Sequence, residues 1–117
     1  IDSIFLLSPT TQDNRIKLIT EQATGFLYYV SLKGVTGSAN IDINQVSERV
    51  NNIKKYSDLP IAVGFGVRDP ETAKQVALIS DAVVIGSRII NEVENSKQES
   101  LLANIRSLLF EIKKAIS

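Results

Sequence analysis

PIAVGFG at residues 60–66 and DAVVIGS at residues 81–87 are two apolar runs that each end in a glycine turn. Uninterrupted apolar runs of this length are typical of parallel strands that are covered on both faces. The segment Asp69-Pro70-Glu71 lies between them and predicts a helix start, because aspartate caps helices and proline favours the first helical position. Strand, glycine turn and helix follow one another, which predicts βα units in a parallel sheet.

The two glycine turns are candidate anion sites. At the carboxyl end of a parallel strand, backbone N–H groups and the positive end of the next helix can bind a phosphate. We expect Gly66 and Gly86 to let the backbone approach a phosphate closely and Ser87 to donate a further hydrogen bond. Each turn taken alone could equally be a tight turn without a ligand. Together they match the phosphate site that (β/α)₈ barrels build after their seventh and eighth strands.

The rest of the chain continues the same alternation. Short apolar runs predict strands at residues 4–7, 26–30, 60–63 and 82–85. Helices are predicted from a Thr10 or Thr11 cap to Gly25, over residues 44–56, from the Asp69 cap, over residues 88–93, and from Leu101 onward. The predicted fold class is α/β, of the (β/α)₈ TIM-barrel type with only the last four βα units, in one domain over residues 1–117.

The composition excludes several classes of function. Thirteen basic and thirteen acidic residues cancel without forming a charged run, so we expect neither nucleic acid nor a membrane surface as a partner. The chain has no cysteine and no histidine, which argues against zinc, haem, a thiol nucleophile or a Ser-His-Asp triad. We expect no metal and no cofactor, and a cytoplasmic enzyme. The first residue is Ile1 and not methionine, and it lies just before a strand, which suggests a missing upstream part.

Acid/base residues are scarce where catalytic groups of this architecture lie, at the carboxyl ends of strands. Those ends read SP, SL, GF and GS at residues 8–9, 31–32, 64–65 and 86–87. The aspartates next to strands precede them and belong to the opposite edge: Asp2, Asp58 and Asp81. We therefore expect this chain to hold a phosphate and to contain no catalytic residue.

Three stretches resemble the C-terminal half of the tryptophan synthase alpha chain: FLYYVSLKGVTG at residues 26–37, PIAVGFGVRDP at 60–70 and DAVVIGSRI at 81–89. The glycine turns are shared by many phosphate-binding barrels, whereas the Gly-Val-Thr-Gly loop after a tyrosine-containing strand is the discriminating part. The resemblance implies a lyase of tryptophan biosynthesis, an aromatic amino-acid pathway. It implies retro-aldol cleavage of indole-3-glycerol phosphate to indole and glyceraldehyde 3-phosphate. It also implies a pyridoxal-phosphate beta chain as partner in a heterotetramer.

The resemblance also implies roles for individual residues. Four would hold the substrate phosphate: Gly37, Gly66, Gly86 and Ser87. Tyr28 and Phe65 would line the pocket for the indole and glycerol part, and Thr36 would position a catalytic aspartate as its loop closes. The general acid/base glutamate of the family and that aspartate lie on earlier strands, which this sequence lacks, so the isolated chain is expected to be inactive.

Two alternatives stay open at this stage. The chain could be half of another phosphate-binding barrel, of the thiamine phosphate synthase or indole-glycerol-phosphate synthase type. It could also be a non-catalytic phosphate-binding or partner-docking domain, since it lacks a base. Half a barrel leaves strand edges and an inner sheet face open. We therefore expect the fragment to self-associate.

Overall fold

The computed structural model describes residues 1–31, 42–64 and 66–117, and its helices and strands alternate along the chain. The elements are β1 (Phe5–Leu7), α1 (Asp13–Gln22), β2 (Leu27–Val30), α2 (Ile43–Lys54), β3 (Ile61–Gly64), α3 (Pro70–Ala77), β4 (Ala82–Val84), α4 (Ser87–Asn95) and α5 (Leu101–Ile116). All strand pairs are parallel, and the sheet order is β1-β2-β3-β4. The α/β prediction with four parallel strands is confirmed.

The register of the sheet separates its two faces. Leu7, Tyr29, Val63 and Val83 lie opposite one another across the four strands. Leu7, Tyr29 and Val63 are at most 1% exposed and belong to the core that the helices cover. The neighbouring row, Leu6, Tyr28, Ala62 and Ala82, points to the other face, because side chains alternate along a strand. We call this second side the inner face.

The α3 start follows the sequence prediction. The Asp69 carboxylate accepts a hydrogen bond from the Thr72 backbone N–H at 2.7 Å, and Pro70 is the first helical residue. That hydrogen bond holds the pKa of Asp69 below its ordinary value. Ala73 and Val76 are fully buried against the core, and Ala77 is partly buried.

The prediction that Thr10 or Thr11 caps the first helix is wrong. The residue before α1 is Gln12, and its side chain makes no capping hydrogen bond. The Thr11 hydroxyl accepts a hydrogen bond from the Ser8 backbone N–H at 3.0 Å instead, which closes the turn after β1. α1 then ends at Gln22, three residues before Gly25, whose φ of +79° is a conformation that favours glycine.

The last helix buries less of its apolar stripe than its sequence suggests. Leu108 and Ile112 of α5 are buried, and α5 packs mainly on α3. The sequence places Leu102 and Leu109 on the same apolar stripe, at helical spacing, but they are 82% and 46% exposed. Among the described residues, no helix has the length and apolar character that crossing a membrane requires.

Candidate functional site

The turns after β3 and β4 open at the same edge of the sheet. β3 and β4 are neighbours, and Gly64 lies opposite Val84 in the parallel register. Gly66 and Gly86 each follow this pair by two residues. The fold therefore brings together the two glycine turns that the sequence proposed as a phosphate site.

Among the described residues, neither the backbone conformation nor the surrounding protein atoms exclude a larger residue at Gly66 or Gly86. Among the described glycines, only Gly25 has a positive φ. A Cβ atom built on Gly66 or Gly86 would have no described heavy atom within 4 Å. Within residues 1–31, 42–64 and 66–117, the space beside both glycines is open, which is the geometry that a group bound against the backbone requires.

The start of α4 adds hydrogen-bond donors to this edge. Gly86 precedes the helix, and its carbonyl accepts hydrogen bonds from the N–H groups of Ile89 and Ile90 at 2.9 and 3.2 Å. The first N–H groups of a helix have no carbonyl acceptor within the helix, so those of Ser87 and Arg88 are available to an anion. The predicted role of Ser87 is compatible with this position.

Tyr28 lines an apolar groove on the inner face. The groove is formed by six residues of β2, β3, β4 and their approaches: Phe26, Tyr28, Pro60, Ala62, Ala82 and Val84. Tyr29, the adjacent residue, is 1% exposed and lies in the core under the helices. Its burial raises the pKa of the Tyr29 hydroxyl, an effect that the Arg49 guanidinium partly opposes. Of the two tyrosines, Tyr28 is therefore the one that can contact a ligand.

Gly64 makes room for the Tyr28 side chain, a role that the sequence analysis missed. A Cβ on Gly64 would overlap the Tyr28 hydroxyl oxygen and would lie 2.8 and 3.0 Å from the ring atoms Cζ and Cε1. The tyrosine ring thus lies over the end of β3, pointing toward the glycine turns. A glycine inside a strand often marks such a close approach, and this signal could have singled out Gly64.

Three sequence-predicted site residues lie outside the described residues: Thr36, Gly37 and Phe65. Their roles stay predictions. The site described here consists of Tyr28, Gly66, Gly86 and Ser87, with Gly64 beneath Tyr28.

The carboxylates nearest the carboxyl edge are engaged at helix starts. Asp42 and Asp69 accept hydrogen bonds from the backbone N–H groups of Gln45 and Thr72. Asp13 accepts one from the Asn52 amide at 2.9 Å. The sequence supplies no further acidic residue between each strand and the following helix on this edge. The helix-start N–H groups at this edge suit an anion, but none of the described groups of the candidate site is placed as a general base.

Asp81 confirms the expectation for the opposite edge. Its carboxylate accepts a hydrogen bond from the Ile61 backbone N–H at 2.9 Å and lies 3.8 Å from the Lys54 ammonium group. The hydrogen bond ties the start of β3 to the residue before β4, and the ion pair ties that residue to the end of α2. Asp81 therefore stabilises the sheet at its amino edge.

Comparison with known proteins identifies the family. The family model described as "Tryptophan synthase alpha chain" matches residues 1–117. The chain belongs to the tryptophan synthase alpha chain family. Among its curated relatives, the alpha chain of Janthinobacterium sp. (strain Marseille) is 56% identical over 116 residues, covering 99% of this chain and 44% of the relative. That of Nitrosomonas europaea is 50% identical, covering 99% and 42%.

Solved structures agree with the family assignment. Tryptophan synthase subunit alpha from Legionella pneumophila str. Paris matches with a TM-score of 0.83 and 36% identity, over 99% of this chain and 42% of that chain. Tryptophan synthase from M. tuberculosis, in an open form with BRD0059 bound, matches with a TM-score of 0.81 and 28% identity, over 99% and 41%. The prediction that the four βα units are part of a TIM barrel of this family is confirmed.

The chain spans less than half the length of these tryptophan synthase alpha chains. The family assignment supports the alpha chain over the thiamine phosphate synthase and indole-glycerol-phosphate synthase alternatives.

The contact between Tyr28 and Gly64 gives a stability prediction for this alpha-chain segment. We expect Gly64→Ala to lower the free energy of unfolding by about 1–3 kcal/mol, because the new methyl group overpacks a buried strand against the tyrosine ring. Gly66→Ala is the matched control: its Cβ enters open space, so we expect a change of less than about 1 kcal/mol. Urea unfolding of both variants measures the difference.

The Tyr28→Ala background tests whether the overlap is the cause. With the ring removed, the penalty of Gly64→Ala should largely disappear, since contacting residues couple in double-mutant cycles. Equal penalties for Gly64→Ala and Gly66→Ala, or an unchanged penalty without the Tyr28 ring, would contradict this account.

Proposed function

We propose that this chain supplies the phosphate-binding and indole-lining half of a tryptophan synthase alpha subunit, a lyase that cleaves indole-3-glycerol phosphate to indole and glyceraldehyde 3-phosphate. The observation that carries the proposal is the pair of adjacent glycine turns, each open to a ligand, in a chain that matches the alpha-chain family over its full length.

In this proposal the glycine turns bind the phosphate group of the substrate. The N–H groups near Gly66, Gly86 and Ser87 donate hydrogen bonds to its oxygens, and the positive end of the α4 dipole favours its negative charge. Gly37, which lies between β2 and α2 in the sequence, would donate to the same phosphate, as the resemblance to the family implies. Binding energy gained at this non-reacting end of the substrate orients the bond to be cleaved.

The inner face receives the rest of the substrate. Tyr28 lies in an apolar groove that suits an aromatic ring system. The resemblance to the family implies that Phe65 would line the same part of the pocket. Thr36 positions the catalytic aspartate of the other half when its loop closes. Retro-aldol cleavage requires positioned acid/base groups. In the family these come from earlier strands, so this chain contributes binding and orientation rather than proton transfer.

The partner of the assembled subunit is the pyridoxal-phosphate beta chain, which consumes the indole, in a heterotetramer. The composition of the chain, with no cysteine, suits a cytoplasmic location for this enzyme. The chain itself requires no cofactor in this proposal, because the cleavage is carried by protein carboxylates.

Gly86→Val tests the proposed phosphate site. The added side chain would occupy the open space where the phosphate lies, so we expect the KM of the whole gene product for indole-3-glycerol phosphate to rise at least tenfold. Inhibition by inorganic phosphate should weaken in parallel, while the thermal unfolding midpoint changes little. Steady-state kinetics and an unfolding scan measure these effects.

Ala103→Val, at an exposed position of α5, is the control for adding the same β-branched side chain elsewhere. An unchanged KM and unchanged phosphate inhibition for Gly86→Val would contradict the site. A whole gene product that binds phosphate and cleaves no indole-3-glycerol phosphate would instead favour the non-catalytic binding domain.

A further inference from the structure

Arg88 is an unfavourable residue for its place in the fold. It is the second residue of α4, directly after Ser87. The positive end of a helix dipole disfavours a cation in the first turn and favours acidic residues there. The first turns of α1 and α3 follow this rule, with Asp13 and Glu71. Helix stability therefore does not explain an arginine at position 88.

Glu92 holds the Arg88 guanidinium. The Arg88 Nη1 atom donates a hydrogen bond to Glu92 Oε2 at 2.7 Å, and the two side chains are only 32% and 23% exposed. In an i,i+4 pair, the order with the acid first is the more stabilising one, and this pair has the reverse order. Glu92 offsets the positive charge of Arg88, but an ion pair in this less favourable order does not explain why an arginine occupies the first turn.

A bound phosphate changes the electrostatics of this turn. The inference rests on the proposed function, which places a phosphate monoester beside Gly86 and Ser87. Its negative charge would lie at the end of α4 that carries Arg88, where it would favour the cation that the empty helix end disfavours. With a phosphate bound, an arginine in the first turn of α4 is therefore electrostatically favourable.

We propose that Arg88 supplies positive charge to the phosphate group bound at the Gly86–Ser87 turn, and that Glu92 is a positioning residue that holds and partly neutralises its guanidinium. The charge balance within the pair sets the affinity for the phosphate end of the substrate. Because the backbone of the Gly86–Ser87 turn fixes the position of the phosphate and the pair changes only the strength of its binding, the pair affects KM more than kcat.

The test measures the dissociation constant of inorganic phosphate and the KM and kcat for indole-3-glycerol phosphate on the whole gene product. Glu92→Gln should strengthen both phosphate and substrate binding about two- to fivefold, because it removes one negative charge that lies about a helical turn beyond Arg88 in a largely aqueous dielectric. Arg88→Gln should weaken both by a similar factor and reduce their dependence on salt. Arg88→Lys keeps the charge and should recover part of the affinity.

Glu94→Gln is the matched control, because it removes the same charge from an exposed position of the same helix. The decisive measurement is Glu92→Gln in an Arg88→Gln background, where the gain should shrink to that of Glu94→Gln. A gain that is the same with and without Arg88, or a Glu92→Gln affinity equal to that of Glu94→Gln, would overturn the inference alone. If the unmutated protein binds no phosphate, the proposed function fails and the inference fails with it.

Discussion

The 117-residue chain, produced alone, is expected to give no turnover of indole-3-glycerol phosphate above background. The proposed acid and base groups are not among its residues. The carboxylates near its carboxyl edge already accept hydrogen bonds, from backbone N–H groups at helix starts or from the Asn52 amide. General acid/base groups typically contribute about 10²–10⁴-fold each, so losing both removes most of the rate. Indole release from purified chain, followed over hours, measures this.

Addition of the complementary half is the positive control. The part of the Janthinobacterium relative that this chain does not match serves as that half, since the two proteins are 56% identical in the region they share. We expect activity to appear on mixing or co-expression and to be lost again with Gly86→Val in this chain. Turnover by the chain alone that a substitution within its 117 positions abolishes would contradict the division of roles.

The strands were predictable because parallel strands are buried on both faces and therefore read as unbroken apolar runs. The runs at residues 60–63 and 82–85 correspond to β3 and β4 within one residue at each end. The Asp69-Pro70 start of α3 was predictable for a local reason, since cap and proline act on their own helix. Such features depend on the adjacent sequence alone.

Features that depend on distant contacts were not predictable. The Thr11 hydroxyl has two possible uses, as a helix cap or as the acceptor of the Ser8 N–H, and only the folded turn selects the second. The stripe on α5 shows which residues are apolar, but not that α3 covers Leu108 and leaves Leu102 exposed. A local sequence pattern shows that a helix has an apolar face, but it does not show which other element packs against that face.

Part of the candidate site was predictable from the sequence, and part of it depends on distant contacts. Glycines after two consecutive strands must meet at one edge of a parallel sheet, so Gly66 and Gly86 could be paired from the sequence. Period-2 alternation showed that only one of Tyr28 and Tyr29 faces inward, whereas the choice between them depends on which side the helices pack. The contact of Tyr28 with Gly64 joins two strands and appears only when their register is known.

The inner face leads to the second large effect, self-association of the 117-residue chain. Within the described residues, β1 and β4 each have a strand neighbour on one side only. Leu6 and Phe26, on or beside the inner face, are 66% and 38% exposed, and the groove around Tyr28 has apolar lining. Burying such a side chain contributes about 1.5–3 kcal/mol, so leaving several in water competes with a typical stability of about 5–15 kcal/mol.

We therefore expect the chain, produced alone, to pair with a second copy through its inner face and open strand edges. Light scattering at micromolar concentration should show at least a dimer, and the denaturation midpoint should rise with protein concentration, because association stabilises the folded state by mass action. Leu6→Lys should weaken this association, since it places a charge on the apolar face. Leu78→Lys is the control, because Leu78 is 78% exposed at the end of α3, away from the sheet's inner face. A compact monomer with a concentration-independent midpoint would contradict self-association and show that the folded chain is stable with its inner face exposed to water. Equal effects of the two lysine variants would show that the contact between copies does not involve the inner face.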